Sequence, residues 1–242
     1  MTKLIECKEN YACVIDNKLY FGNKIPAIKD DELYQKGIRA IVCLLPKDKQ
    51  INHDRNKFTV LNIETDDKVT CQLTNWAETT SNFIQENIDN NEPIYVHCSK
   101  GVSRSTSCII HYLMTKTGKN LKDSFLELKA KRSVISPTMG FFRNLLEVEL
   151  RLFGKNSISE EEYALMMLKE SFPGVEINDI KNIYDKYKEL YTTGNKKEEY
   201  NSEMEKNNYE PIGYHTVEEL LNGIGKGKFI PRKGASVHHP FD

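Results

Sequence analysis

The stretch Ile94-Tyr95-Val96-His97-Cys98-Ser99-Lys100-Gly101-Val102-Ser103-Arg104-Ser105 decides the fold. Its first three residues form the apolar run that a buried strand needs. From Arg104 to Thr117 the apolar residues Ile109, Ile110, Leu113 and Met114 recur at helical spacing, with Gly118 at the end. Between strand and helix lies a loop of small residues. A strand that feeds such a loop into a helix aims successive backbone N–H groups and the positive helix end at one point, which makes an anion site. Gly101 lets that backbone turn tightly, and Ser99, Lys100, Gly101, Val102 and Ser103 supply the amides. Arg104, in the first helical turn, carries a planar fork able to hold two oxygens of one phosphate.

Cys98 opens this cradle. Thiolates, not thiols, are nucleophiles, and a helix N-terminus beside a guanidinium favours the thiolate. The potential that binds a phosphate therefore also activates the sulfur. His97 is placed to steady the loop from behind. Ser105 is placed to hydrogen-bond the sulfur and ease its departure from a phosphocysteine. The plainer reading, a structural cysteine followed by an ordinary turn glycine, leaves Arg104 and the strand–loop–helix order as coincidences.

Outward from this stretch, strands and helices alternate. Ala12 to Ile15 and Leu19 to Phe21 flank Asp16-Asn17, a hairpin turn. Ile25 to Lys36 predicts one short helix stopped by Gly37. Ile38 to Leu45 and Phe58 to Ile63 predict two more strands, and Leu73 to Ile88 a helix. Asn120 caps a helix running to about Arg132, and Met139 to Phe153 forms the next. The class is α/β, with a central mixed sheet flanked by helices. A first domain spans residues 1–154, and a smaller, mostly helical C-terminal extension spans 155–242. In the extension, Ser159-x-x-Glu162 is a capping box, Asn178 caps a second helix, and Thr216-x-x-Glu219 opens a third.

Composition narrows the function. In 242 residues, 39% are hydrophobic and 29% charged, with Lys+Arg 34 against Asp+Glu 35. That balance excludes a protein built to wrap nucleic acid. No apolar run is long enough for a membrane helix. The start lacks an apolar signal segment and the end lacks a prenylation box. Six cysteines show neither C-x-x-C nor zinc spacing, so reduced thiols in the cytoplasm or nucleus are expected. His53, His111 and His215 have no partner at metal-ligand spacing and read as surface or satisfied polar residues. No metal or organic cofactor is expected.

His97-Cys98-x5-Arg104-Ser105 is the signature of cysteine-dependent phosphatases, and its wording from Val96 to Ser105 resembles the dual-specificity branch related to MAP kinase phosphatases. Leu19 to Gly22, Gly37 to Val42 and Ser136 to Phe141 resemble other segments of that family, over about residues 11–153. The family usually has Asn where this chain has Thr138. The resemblance implies phosphorylated proteins as partners, kinases among them, hydrolysed at phosphotyrosine and phosphoserine/threonine in a shallow pocket. It also implies a general acid, an Asp about thirty residues before the cysteine. Asp67 and Asp66 both fit, and Asp67 fits better. Phosphoinositide and RNA-end phosphatases share the signature, but lipid enzymes of this kind resemble a loop richer in lysine. A phosphate-binding interaction module is the non-enzyme reading. Leu168, Phe172-Pro173, Ile180 and Ile183 faintly resemble the opening of a ubiquitin-binding CUE domain. The alternative is that this region packs on the first domain.

Overall fold

The computed structural model describes residues 10–67, 71–171 and 174–192. Five strands form one sheet in the order β1 (Tyr11–Ile15), β2 (Leu19–Gly22), β5 (Ile94–His97), β3 (Ala40–Leu45) and β4 (Thr59–Glu64). β1 pairs antiparallel with β2 across a turn in which Asn17 takes φ 56°. The remaining pairings are parallel, so the sheet is mixed. β5 lies between β2 and β3, its four residues all buried. Its carboxyl end therefore opens at the centre of the sheet edge, where ligands of parallel α/β sheets collect.

The helices are α1 (Lys24–Ala27), α2 (Asp30–Gln35), α3 (Ala77–Asp89), α4 (Arg104–Thr117), α5 (Leu121–Lys131), α6 (Met139–Phe153), α7 (Glu160–Ser171) and α8 (Ile177–Thr192). One face of the sheet meets α1, α2 and the segment before β4 through Tyr11, Tyr20, Ala27, Leu33, Ile41, Phe58 and Tyr95. α3 and α4 lie beside each other against the sheet.

Three expectations for local structure need correction. The single helix from Ile25 to Lys36 is two helices, because Lys29 takes φ −124°, outside the helical region. The acidic run Asp30, Asp31, Glu32 then opens α2, where negative charge complements the helix N-terminus. The helix expected over Leu73 to Ile88 is present from Ala77 as α3, while its start is a separate 3-10 turn, Leu73–Asn75, divided from α3 by Trp76 at φ −138°. Asn178 lies inside the first turn of α8 rather than capping it.

The described residues fall into two compact units. The first contains the sheet and residues 141–157; the second contains residues 138–140 and the last two helices. Ser159 Oγ accepts from Glu162 N and Glu162 accepts from Ser159 N, the reciprocal capping box expected for α7. α7 and α8 pack on each other. Phe172-Pro173, Thr216 to Glu219 and His215 lie outside the described residues, as does the side chain of Ile183.

Candidate active site

β5 ends at His97, and residues 98–103 form a loop that enters α4 at Arg104. The loop closes because Gly101 adopts φ +69°. A Cβ at this position would lie 2.3 Å from the carbonyl carbon of Gly22, so the position needs glycine for both its dihedral and its neighbour. Gly101 N donates to Cys98 Sγ at 3.2 Å. The loop thus curls back on its own cysteine.

Cys98 is 1% exposed. Its sulfur lies 3.3 Å from Ser105 Oγ, and Ser105 Oγ lies 3.3 Å from Gly22 O. One hydroxyl proton serves both contacts in turn. While the sulfur keeps its proton, Ser105 donates to Gly22; once the sulfur is a thiolate, Ser105 can donate to it. Cys98 N also donates to Gly22 O, so the end of β2 anchors both ends of this arrangement.

Arg104 is 5% exposed, and its Nη1 donates to Thr65 O at 3.0 Å. Its Nε lies 3.7 Å from Asp67 Oδ2, an ion-pair distance too long for a hydrogen bond. Asp67 Oδ1 accepts from Ser103 Oγ at 2.6 Å. The loop after β4 is therefore tied to the phosphate loop at both Thr65 and Asp67. The neighbouring Asp66 contributes its backbone carbonyl to Thr65 Oγ1. Leu73 N donates to Asn144 Oδ1 at 2.9 Å, holding the far side of the same loop on α6.

His97 is fully buried and its ring stacks on Tyr95 at 5.8 Å. Burial first, and then the neighbouring His53 ring, push it down to about 3, so it is a neutral imidazole. The adjoining Cys98 backbone, hydrogen-bonded to the ring, opposes that shift only in part. Thr138 is buried at the foot of α6.

Sequence reading missed Arg132. It is 3% exposed, donates from Nε to Gly101 O at 3.0 Å and from Nη2 to Lys100 O at 3.2 Å. Fixing these carbonyls on Arg132 turns the opposite faces of the same peptides, their N–H groups, toward the anion position. In sequence Arg132 is one more basic residue at a helix end, a common and uninformative feature. Of the histidines expected to be surface or satisfied polar residues, His53 and His111 are buried and partnered. His53 Nδ1 faces Asp30 Oδ1 at 2.8 Å, and His111 Nδ1 faces Ser81 Oγ at 2.8 Å. Burial pushes the Cys43 thiol up to about 11 and the Cys108 thiol to about 12.

The fold has known counterparts. Residues 19–151 match the family model of the dual specificity phosphatase catalytic domain, and the chain belongs to that family. It is similar to human dual specificity protein phosphatase 9, 31% identical over 60% of this chain and 38% of that protein. It is also similar to zebrafish (Danio rerio) dual specificity protein phosphatase 22-A, 33% identical over 57% of this chain and 64% of that protein. The mouse dual specificity protein phosphatase 1 is 28% identical over 59% of this chain, a region that is 38% of that protein. The chain thus corresponds to well under half the length of several curated relatives. Among solved structures, DUSP15 is 28% identical, with a TM-score of 0.54 over 58% of this chain and 88% of that one. The human tyrosine phosphatase-like serine/threonine/tyrosine-interacting protein shares the fold, at 24% identity and a TM-score of 0.56 over 59% of this chain and 97% of that one.

Proposed function

We propose that this chain hydrolyses phosphotyrosine and phosphoserine/threonine in proteins through a phosphocysteine on Cys98. One observation carries the reading: Cys98, Arg104, Ser105 and Asp67 meet around a single loop whose Gly101 amide donates to the sulfur. In the first step the Cys98 thiolate forms an S–P bond while the ester P–O bond breaks, and Asp67 gives its proton to the departing oxygen. Arg104 and the loop amides hold the other phosphate oxygens. In the second step the Asp67 carboxylate takes a proton from water, the water oxygen bonds phosphorus, and the S–P bond breaks with Ser105 donating to the leaving thiolate. The transition state of such transfers is loose, so positioning and charge stabilisation dominate.

The substrates are phosphorylated proteins, kinases among them, in the cytoplasm or nucleus. The five described cysteines are all free thiols, which supports a reducing compartment. No helix among the described residues is long and apolar enough to cross a membrane. The test is hydrolysis of a phosphotyrosine-mimicking aryl phosphate and of phosphotyrosine and phosphothreonine peptides. Cys98→Ser abolishes turnover and Arg104→Lys removes most of it, because a point charge cannot reproduce the bidentate fork. Retention of more than about a tenth of the activity by either variant sinks the assignment.

A further inference from the structure

One buried face of the sheet carries polar chemistry that phosphoryl transfer does not use. Side chains alternate across a strand, so Ile41 and Cys43 share a face of β3, and Tyr95 and His97 share a face of β5. The register pairs Ile41 with Tyr95 and Cys43 with His97. Ile41 and Tyr95 belong to the apolar cluster under α1 and α2. One step toward the carboxyl ends, the same face turns from apolar to a thiol and an imidazole. The segment between β3 and β4 then lays His53 against them, its ring 5.6 Å from that of His97. The donor atoms of Cys43, His53 and His97 all lie within 4.8 Å of one another. All three residues are buried, at 0%, 4% and 0% exposure.

Two further observations separate this cluster from ordinary core packing. His53 Nδ1 lies 2.8 Å from Asp30 Oδ1, so that nitrogen is engaged by the carboxylate and Nε2 is the ring nitrogen left for a cation. Asp30 also accepts from Asp54 N at 2.7 Å, which fixes the carboxylate and the turn together. A carboxylate behind an imidazole is the arrangement that orients histidine ligands. In addition, Nε2 of His53 is buried with no hydrogen-bond partner among the described residues. Buried nitrogens without partners are rare in folded proteins and call for a reason.

We propose that Cys43, His53 and His97 form a binding site for a zinc-class divalent cation, with water at the fourth position. One thiolate and two imidazoles favour such a metal, whereas magnesium and calcium take oxygen ligands. At Zn–S of about 2.3 Å and Zn–N of about 2.0–2.1 Å, tetrahedral donors sit roughly 3.3–3.6 Å apart. Side-chain rotation of about an ångström closes the observed cluster to that size. His97 is the last residue of β5, and a cation held there pins the root of the phosphate loop to β3. The site uses neither Cys98 nor Arg104 and stands or falls separately from the phosphatase reading.

The test is a titration of the reduced, full-length chain with Co2+, which gives thiolate charge-transfer absorption and intense visible bands in a tetrahedral site. The bands form at about one equivalent in the wild type and in Cys98→Ser, and are absent in Cys43→Ser and in His53→Gln. Asp30→Asn weakens the affinity by roughly 10–100-fold. Zn2+ at a hundred times its Kd raises the thermal midpoint of the wild type and of Cys98→Ser by roughly 5–10 °C. It leaves the midpoint of whichever of the Cys43 and His53 variants folds unchanged. Bands that vanish in Cys98→Ser but persist in Cys43→Ser would put the cation on the proposed nucleophile and overturn the site. Absence of the bands from the wild type overturns it equally.

Discussion

At the scale of the residue, the cradle depends on atoms too close to replace. Gly101 combines a left-handed dihedral with a neighbouring backbone 2.3 Å from where a Cβ would sit. Gly101→Ala should therefore cost about 2 kcal/mol or more in stability, because the obstacle is backbone and cannot rotate away. Activity should fall with it, checked by denaturant melts alongside aryl phosphate hydrolysis. Asp67 offers a finer test, since it touches both Ser103 and Arg104. Asp67→Asn should lower kcat by roughly 10²–10⁴-fold on substrates with poor leaving groups, and far less on activated aryl phosphates that depart without a proton. The same leaving-group pattern in Asp66→Asn instead would transfer the acid role to its neighbour.

At the scale of the element, the helices are held at their ends by side chains from elsewhere. Asn120 caps α5 with Oδ1 accepting from Asp123 N, as its position before an amphipathic run predicts. The next amide, Leu121 N, instead donates to Glu149 Oε1 of α6 at 2.7 Å. Glu149 is fully buried and also accepts from Ser157 N at 2.9 Å and Ser157 Oγ at 2.6 Å. One carboxylate thus joins the start of α5 to the segment after α6. Glu149→Leu should destabilise by about 2 kcal/mol or more by stranding one buried donor, Leu121 N, and the two part-buried donors of Ser157. Glu149→Gln, which keeps one acceptor, should cost less; equal losses in the two melts would show that packing, not acceptance, matters there. Periodicity could not find this residue, since Glu in an amphipathic helix ordinarily reads as its solvated face.

At the scale of the molecule, acid stability and chain length are coupled to such buried groups. Burial pushes His111 from 6.5 down to about 4. Glu78 opposes that shift, and Arg151 and Lys116 assist it. Between those values the unfolded chain binds the extra proton and the folded chain does not. Stability from this group is complete above about pH 6.5 and is lost as pH falls toward 4, by up to about 1.4 kcal/mol per unit. Thermal midpoints measured across that window should fall less steeply for His111→Gln than for the wild type. A chain cut after Gly154 loses Ser157 and both of its bonds to Glu149. Its midpoint should drop, whereas the single change Ser157→Ala removes only the hydroxyl and should have a smaller effect. An unchanged melting curve for the cut chain would contradict this.

Sequence alone determined whatever depends on neighbours along the chain. The apolar run of Ile94 to Val96, the glycine at 101 and the arginine at 104 specify a strand, a tight loop and a helix start. Together they specify an anion cradle with a nucleophile in it. The hairpin, the capping box at Ser159 and the cap at Asn120 were legible for the same reason, since each is a local exchange of hydrogen bonds. Tertiary structure decided what depends on residues far apart in sequence. Placing β5 between β2 and β3 brings Gly22 to Cys98, Arg132 to the loop carbonyls and Cys43 to His97. No spacing rule encodes these meetings, because register and sheet order are set by the burial of whole faces rather than by any short motif. The break at Lys29 belongs with them: the local pattern allows one continuous helix, while in the folded chain the Asp30 carboxylate is fixed against His53.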